Sequence, residues 1–397
     1  VELNLLRYDP RAIALNDGIS FKTYGQLIEE IEVRASSLLN SDGQRYYLDG
    51  VTNLDAIQWM YAAWMSGKEL FLLPSFIPAP IRWVLSAKFG ALTNVSKVSL
   101  TDKRAASYPF TGRVSVLTSG TTGKPKMVAF ATTAFTNVFN VCGLEEKVKV
   151  YTAAPMTAAP IPHLMSLSAG CETMIETDRF SAERASQADV VMTVPSSIEK
   201  VLPISGSIAS IITATSPLSR AQEELCANAT ASVFDIYTST ETGIVATRDV
   251  YPDSPFTVFR DVAVDVTDMD STGTGILVVE SDYTMVGQYQ NKNFVCRSNS
   301  VQNGDIVTVS DPKTILRVIR SETSKIKVSG FSVYLDLVLD VARRAPGVLD
   351  VKASVLRKEP DDEVTLYVKT NDAKSSFISY MQAHLPWYAM PKRTVFG

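Results

Sequence analysis

The sequence runs to 397 residues, 46% hydrophobic and 20% charged, a composition that suits a globular protein with a sizeable core and roughly two to three domains. Lys and Arg number 38 against 42 Asp and Glu, a formal net charge of −4, so the basic excess that a nucleic-acid or anionic-membrane binder needs is absent. No apolar run reaches the roughly 18 to 20 residues of a membrane span. Val1-Glu2-Leu3-Asn4 lacks the basic and then apolar character of a signal peptide, and with no initiator methionine a trimmed N-terminus is expected. Cys142, Cys171, Cys226 and Cys296 stand far apart, and the only histidines are His163 and His384. That set argues against a structural zinc site, reads as reducing cytosol, and leaves both histidines as structural residues.

Along the chain, Tyr24 to Leu39 is predicted as an amphipathic helix with Leu27, Ile31, Ala35 and Leu38 on one face. Ala56 to Met65 follows the same pattern, and Gly67 stops it before the strand-like Leu70–Leu73 and Pro74. Val114–Leu117 is a short buried-strand candidate running into a Gly/Ser/Thr loop. Further strands are expected at Asp189–Val194, Ile208–Thr213, Ser232–Tyr237 and Ile276–Val279. This alternation predicts an α/β fold with layered, mainly parallel sheets. After Asp305 the texture changes. Thr314–Ile319 and Lys325–Val328 read as strands around the polar turn Arg320–Ser324. A helix (Leu335–Arg344), two strands (Val351–Leu356, Glu363–Lys369) and a helix (Lys374–His384) complete a small α+β unit. The expected division is therefore 1–319 and 320–397.

The segment Thr118-Ser119-Gly120-Thr121-Thr122-Gly123-Lys124-Pro125-Lys126 is the most informative. Its glycines let the backbone turn and present amides, while four hydroxyls and two lysines add donors, a composition suited to polyphosphate. It is not the Walker pattern, because Gly120 and Gly123 are only three apart. The loop closely resembles the phosphate-binding signature of the adenylate-forming superfamily: acyl-CoA synthetases, aryl-acid ligases, luciferases and peptide-synthetase adenylation domains. Other motifs of that superfamily follow in order. They are Ser66-Gly67-Lys68-Glu69 with Pro74, Ala154-Pro155-Met156 through Ile175, Asp235-Ile236-Tyr237-Thr238-Ser239-Thr240-Glu241-Thr242-Gly243, Thr274–Leu277 with Gly287-Gln288-Tyr289, Asn303-Gly304-Asp305, and Arg320 with Ile326–Gly330.

The resemblance implies a large N-terminal core and a small mobile C-terminal lid, with ATP and a carboxylic acid bound between them. It implies that Thr118, Ser119, Gly120, Thr121, Thr122, Gly123 and Lys126 cradle the β- and γ-phosphates. Tyr237 would stack on adenine, with Asp235 near its exocyclic amine. Thr240 would donate to the α-phosphate and Glu241 would hold Mg²⁺, while Asp305 would take the ribose hydroxyls and Arg320 a second ribose or phosphate contact. Plainer readings exist for some of these: Tyr237 and Thr240 as core and helix-cap residues, Glu241 as a charge on a helix dipole. Lys327 lies in the stretch that family members turn towards the acceptor thiol, and a strand-edge lysine accounts for it equally well.

The sequence also departs from the family pattern. The lysine that family members carry after a stretch like Leu385–Lys392 does not occur before Gly397, and a missing tail is expected. Ala158 stands where an aromatic-gating histidine is usual, and the aspartate that holds an α-amino group is not evident. Thr215 and Thr238 replace frequent glycines of the acyl-pocket wall, which shortens the pocket and makes it more polar. The expectation is a small aryl or short-chain acid, activated to acyl-AMP with release of pyrophosphate and passed to CoA or a carrier-protein phosphopantetheine. The rival is a catalytically degenerate homologue that keeps the nucleotide fold for binding or regulation; a ligase acting on an amine would differ in acceptor only.

Overall fold

The computed structural model describes residues 4–49, 52–73, 77, 79–90, 93–101, 104–118, 126–131, 134, 144–152, 160–176, 180–269, 271, 273–297, 300–319, 325–329, 331–385 and 387–397. Local chemistry sets the first helices. Thr23 caps the Tyr24–Leu39 helix with a reciprocal bond to Gln26, its side chain accepting from the Gln26 amide while Gln26 accepts from the Thr23 amide. Thr52 caps Asn53–Ser66 by accepting from the Asp55 amide, and Gly67 ends that helix at φ +73°, the left-handed region glycine tolerates best.

Two large sheets carry the first four-fifths of the chain. The larger has 13 strands, the smaller seven. Parallel pairing forms one contiguous block in each. In the larger sheet it runs through Ser232–Ser239, Ser210–Ala214, Val190–Thr193, Lys149–Thr152, Glu172–Ile175 and Ile13–Asn16. In the smaller it joins Arg113–Thr118, Glu69–Leu72, Arg45–Tyr47 and Thr93–Asn94. Antiparallel strands extend both blocks outward, so the α/β class holds with a more mixed pairing than the alternation suggested. The core between the sheets draws on both: Leu15 and Ile175 from one, Leu70, Val116 and Phe130 from the other. The Asn53–Ser66 helix fills it and is buried on nearly every side, and its Trp64 indole donates to the Phe130 carbonyl at 3.3 Å.

Thr314–Ile319 and Lys325–Val328 part company, although the sequence suggested two strands about one turn. The first pairs with Ser300–Asp311 in the large sheet. The second pairs with Phe331–Tyr334 in a separate hairpin, fastened to the following unit where the Lys327 amide donates to Asp362 (2.8 Å) and the Ser329 amide to Asp361 (2.7 Å). That unit adds Val348–Leu356, Glu363–Thr370 and Arg393–Phe396 in a three-stranded sheet, and its own core gathers Ile326, Val338, Leu366, Phe377 and Met381. No helix among the described residues is long and apolar enough to cross a membrane.

The strand that leads into the polyphosphate-type loop begins under tight constraint. The Gly112 amide donates to the Trp64 carbonyl at 3.1 Å, and a Cβ at Gly112 would run into the backbone oxygens of Ala63 and Lys68. Backbone atoms cannot rotate away as a side-chain tip could. Gly112→Ala is therefore expected to lose about 2 to 3 kcal/mol of stability, read from the urea midpoint at unchanged m-value.

Candidate functional site

Thr118, Tyr237 and Thr238 lie at the carboxyl ends of strands in the two parallel blocks, where open α/β sheets bind ligands, while Lys126 and Asp305 stand on antiparallel strands. In the smaller sheet, Thr118 closes Arg113–Thr118 and Lys126 opens the returning strand Lys126–Phe130. Their Cα positions are partners, so the intervening loop leaves and re-enters the sheet at one rung. Ser119, Gly120, Thr121, Thr122 and Gly123 lie outside the described residues, as do Ala158 and Arg320.

In the larger sheet, Ser232–Ser239 turns sharply into Gly243–Asp249, and a bulge between Tyr237 and Thr238 shifts the register. Thr240 and Glu241 occupy that turn. They sit between antiparallel strands rather than at a helix start, which replaces the helix-cap and helix-dipole readings of these positions. The turn is held from inside. Thr238 donates its hydroxyl to the Gly243 carbonyl (2.8 Å), and the Ser239 hydroxyl accepts from the Thr242 amide (3.1 Å). Gly243 has φ +66°, and a Cβ there would meet the Tyr283 carbonyl. From outside, the Met285 amide donates to the Glu241 carbonyl at 3.0 Å, and the next amide, Val286, donates to Ala129 at 2.9 Å on the strand that carries Lys126.

Asp305 comes to the same place from 68 residues away: the Tyr237 hydroxyl donates to its Oδ2 at 2.8 Å. A strand irregularity aims it. Along Ser300–Asp311, Gln302 pairs with Val278 and Ile306 with Ile276, so residues 303–305 stand opposite the single Leu277, with Gly304 at φ +82°. Tyr237 is half-buried, an aromatic face beside a carboxylate acceptor, and this pair suits a nucleoside's base and ribose hydroxyls.

Asp235 is held in a buried ion pair. Arg248, its cross-strand partner, donates from Nε (3.1 Å) and Nη2 (3.0 Å) to Asp235 Oδ2, while Nη1 pairs with Glu223 at 2.8 Å. The guanidinium also lies 4.7 Å from the Phe256 ring centroid. Burial pushes the Asp235 carboxyl up to about 6, with Arg248 opposing and the Glu223 charge adding to the rise. Asp235 thus anchors the strand beneath Tyr237. Arg248 and Glu223 were not singled out from the sequence; counting back across the hairpin would have found Arg248 only with the bulge at Tyr237 known.

On the neighbouring strand, Thr215 adopts φ +86°, a left-handed conformation that glycine takes freely and a β-branched residue resists. The buried hydroxyl oxygens of Thr213, Thr215 and Ser216 have no hydrogen-bond partner. Among the described residues no cluster of three or more His, Cys, Asp or Glu could hold a metal. Glu241 supplies a single carboxylate at the site. Mg²⁺ is commonly held by one or two carboxylates, with waters and phosphate oxygens completing its shell, so one such ligand suits it. His163 is fully buried on the Ile161–Ser168 helix, and His384 stacks on Tyr380 with ring centroids 3.9 Å apart, both structural placements.

No protein-family model matches the sequence. A long-chain-fatty-acid–CoA ligase of Escherichia coli is 29% identical over 129 residues, a stretch that takes in 31% of this chain and 23% of that protein. Among solved structures, an o-succinylbenzoate CoA synthetase from Bacillus subtilis aligns with TM-score 0.81 and 16% identity over 99% of this chain and 93% of its own. A fused adenylation and carrier-protein didomain from Klebsiella oxytoca aligns with TM-score 0.82 and 16% identity over 98% and 91%. The chain shares its fold with these CoA synthetase and adenylation-domain structures, the fold that the motif resemblance implies.

The Asp235 carboxyl gives a pH signature. Its folded value, about 6, stands above the ordinary 3.8, so the folded state holds the proton more tightly than the unfolded chain. The stability this group contributes is full below about pH 3.8 and is lost as pH rises through about 6. Asp235→Asn is expected to flatten the dependence of unfolding free energy on pH across that window, as measured by urea titrations at a series of pH values.

Proposed function

We propose that this chain activates a small carboxylic acid, aryl or short-chain, by joining it to ATP as acyl-AMP with release of pyrophosphate, and then passes the acyl group to the thiol of CoA or of a carrier-protein phosphopantetheine. The observation that carries the reading is the Tyr237–Asp305 hydrogen bond, which pairs an aromatic face with a ribose-type acceptor next to the turn bearing Thr240 and Glu241. That turn is tied through Met285 and Val286 to the strand that bears Lys126. A nucleoside recognised at one end and a polyphosphate at the other is the arrangement that nucleotidyl transfer to a carboxylate requires.

Such a reaction brings two anions together, so the site's work is alignment and charge neutralisation more than acid–base chemistry. Lys126 and the hydroxyls and amides of the 118–126 segment would hold the departing β- and γ-phosphates. Thr240 would donate to the α-phosphate, and Asp305 would accept from the ribose hydroxyls, with Arg320 as a second contact. Bound Mg²⁺ would supply further charge neutralisation at the phosphates, with Glu241 as its carboxylate ligand. Asp235 acts through Arg248 as the support for Tyr237.

We further propose the division at 319/320, with the C-terminal unit as a lid that changes position between the adenylation and thiol steps about the 320–324 segment. A separate core and separate sheets after residue 325 favour this. The acceptor is drawn from the neighbours: one is a CoA synthetase and another is an adenylation domain artificially fused to a carrier domain. The Escherichia coli relative is named for long-chain fatty acids, but the match covers 23% of it. Thr215 and Thr238, in place of glycines, favour a shorter acid here.

Acid-dependent ATP–pyrophosphate exchange over a panel of aryl, short-chain, amino and long-chain acids tests the reading. Exchange with a compact acid is expected, and the highest kcat/KM with a long-chain acid overturns the size assignment. Asp305→Asn should raise the KM for ATP about 10- to 100-fold, the scale of a hydrogen bond to a charged group. Glu241→Gln should act mainly on kcat, by about 100-fold. Exchange that is unchanged in both variants overturns the roles given to these residues.

A further inference from the structure

Three adjacent hydroxyls at the carboxyl end of one parallel strand have no partner. Thr213 is fully buried and Ser216 is 7% exposed, and the hydroxyl oxygens of Thr213, Thr215 and Ser216 are all buried without a hydrogen bond. An unsatisfied buried hydroxyl costs about 1 to 3 kcal/mol, and three in four residues call for a cause. Thr215 adds a second cost: its φ of +86° is strained for a β-branched side chain, of the order of 1 to 3 kcal/mol. Glycine would relieve the strain and remove one orphan hydroxyl together. Unmet donors and backbone strain in one place mark a segment shaped for a ligand.

The register locates the segment. Thr213 pairs with Asp235, and Ala214 with Ile236, so the chain at Thr215 leaves the sheet beside Tyr237 and Thr238. Thr238 has committed its proton to the Gly243 carbonyl, whereas among the described residues of this neighbourhood the 213–216 hydroxyls keep theirs unspent. The charges nearby decide what kind of group they take. Arg248 is the cation on this row, and it is already shared between Asp235 and Glu223. Two carboxylates about one guanidinium leave Arg248 itself no charge to spare for a further anion.

We infer that the 213–216 segment is a specificity element for a neutral hydrogen-bonding substituent on the acid, a hydroxyl, amide or carbonyl, and that it selects against both plain hydrocarbon acids and diacids. This rests on the acid-activating reading above and names the substrate class of that same site. Hydroxyls that both donate and accept suit such a group. A site built to hydrogen-bond a substrate hydroxyl discriminates far more strongly than one that merely has room for it.

The test is pyrophosphate exchange with matched acids: benzoate, hydroxybenzoates, carbamoylbenzoates and phthalates, and butyrate, hydroxybutyrates and succinate. At least one hydroxy or amide acid is expected to exceed both its hydrocarbon parent and its diacid by about 100-fold in kcat/KM. Thr213→Val, Thr215→Gly and Ser216→Ala should each reduce that preference to about tenfold or less, mostly through KM, and Thr213→Ser should retain it. Thr215→Gly guards against a folding artefact, since it should raise the urea midpoint while the preference falls. Equal or better exchange with hydrocarbon acids or diacids overturns the inference and leaves acid activation standing. A preference that survives Thr213→Val, Thr215→Gly and Ser216→Ala likewise overturns it. Exchange with no acid overturns the reading beneath it and the inference together.

Discussion

Two consecutive amides hold the candidate site in register. Met285 donates to the carbonyl of Glu241, in the turn of the larger sheet, and Val286 donates to Ala129, in the smaller sheet. The strand that follows, Gly287–Gln290, pairs with Met127–Ala129 and so fixes the direction of the strand that Lys126 opens. Two separately twisted sheets would otherwise meet only through side chains, and side-chain packing alone sets such a distance loosely. A pair of backbone hydrogen bonds sets it to a fraction of an ångström. Groups that act together on one nucleotide need that precision, because small errors in the placement of reacting groups cost rate heavily.

The same logic explains why a buried ion pair lies under Tyr237. A buried pair is weak support for stability, since desolvation offsets much of the attraction. Here it fixes position: Arg248 joins its own strand to Asp235 on the next and to Glu223 on the Arg220–Ala227 helix, while its flat face rests on Phe256. The strand beneath Tyr237 is thereby held from three sides. The raised carboxyl of Asp235 reflects the cost of keeping that charge out of water.

Much of this was legible in the sequence, for identifiable reasons. The helices Tyr24–Leu39, periodic and capped by Thr23, and Lys374–His384, which has no side-chain N-cap, both fall where the pattern puts them. Five of the parallel strands are apolar runs that fall where expected, at Glu69–Leu72, Arg113–Thr118, Val190–Thr193, Ser210–Ala214 and Ser232–Ser239, whereas Ile13–Asn16, Arg45–Tyr47, Thr93–Asn94, Lys149–Thr152 and Glu172–Ile175 were not singled out. What stayed hidden depends on contacts distant in sequence. Thr314–Ile319 and Lys325–Val328 look like hairpin partners because they are neighbours, yet one joins a sheet and the other leaves it. The bulges at Tyr237–Thr238 and at 303–305 carry no signature beyond Gly304, and they decide which side chains meet. The site residues were therefore nameable from motifs, whereas the Tyr237–Asp305 contact and the diversion of Asp235 to Arg248 required three dimensions.

Glycine and threonine divide the backbone work around the site. Gly243 and Gly304 adopt positive φ at the points where a turn and a bulge must aim neighbouring side chains, and there a Cβ brings only strain or collision. At Thr215 the chain adopts the same backbone region with a β-branched residue and leaves the hydroxyl unpaired. A position that needed only the bend would be served better by glycine. The strain at Thr215 therefore has to be offset by something the side chain does, and the only thing a threonine adds over glycine in a buried wall is bulk and one hydroxyl. In the acid pocket proposed above, bulk at Thr215 would shorten the space, and the hydroxyl, with those of Thr213 and Ser216, would make its end polar. On the proposed acid-activating reading, both effects would favour a compact acid with a neutral group to meet them.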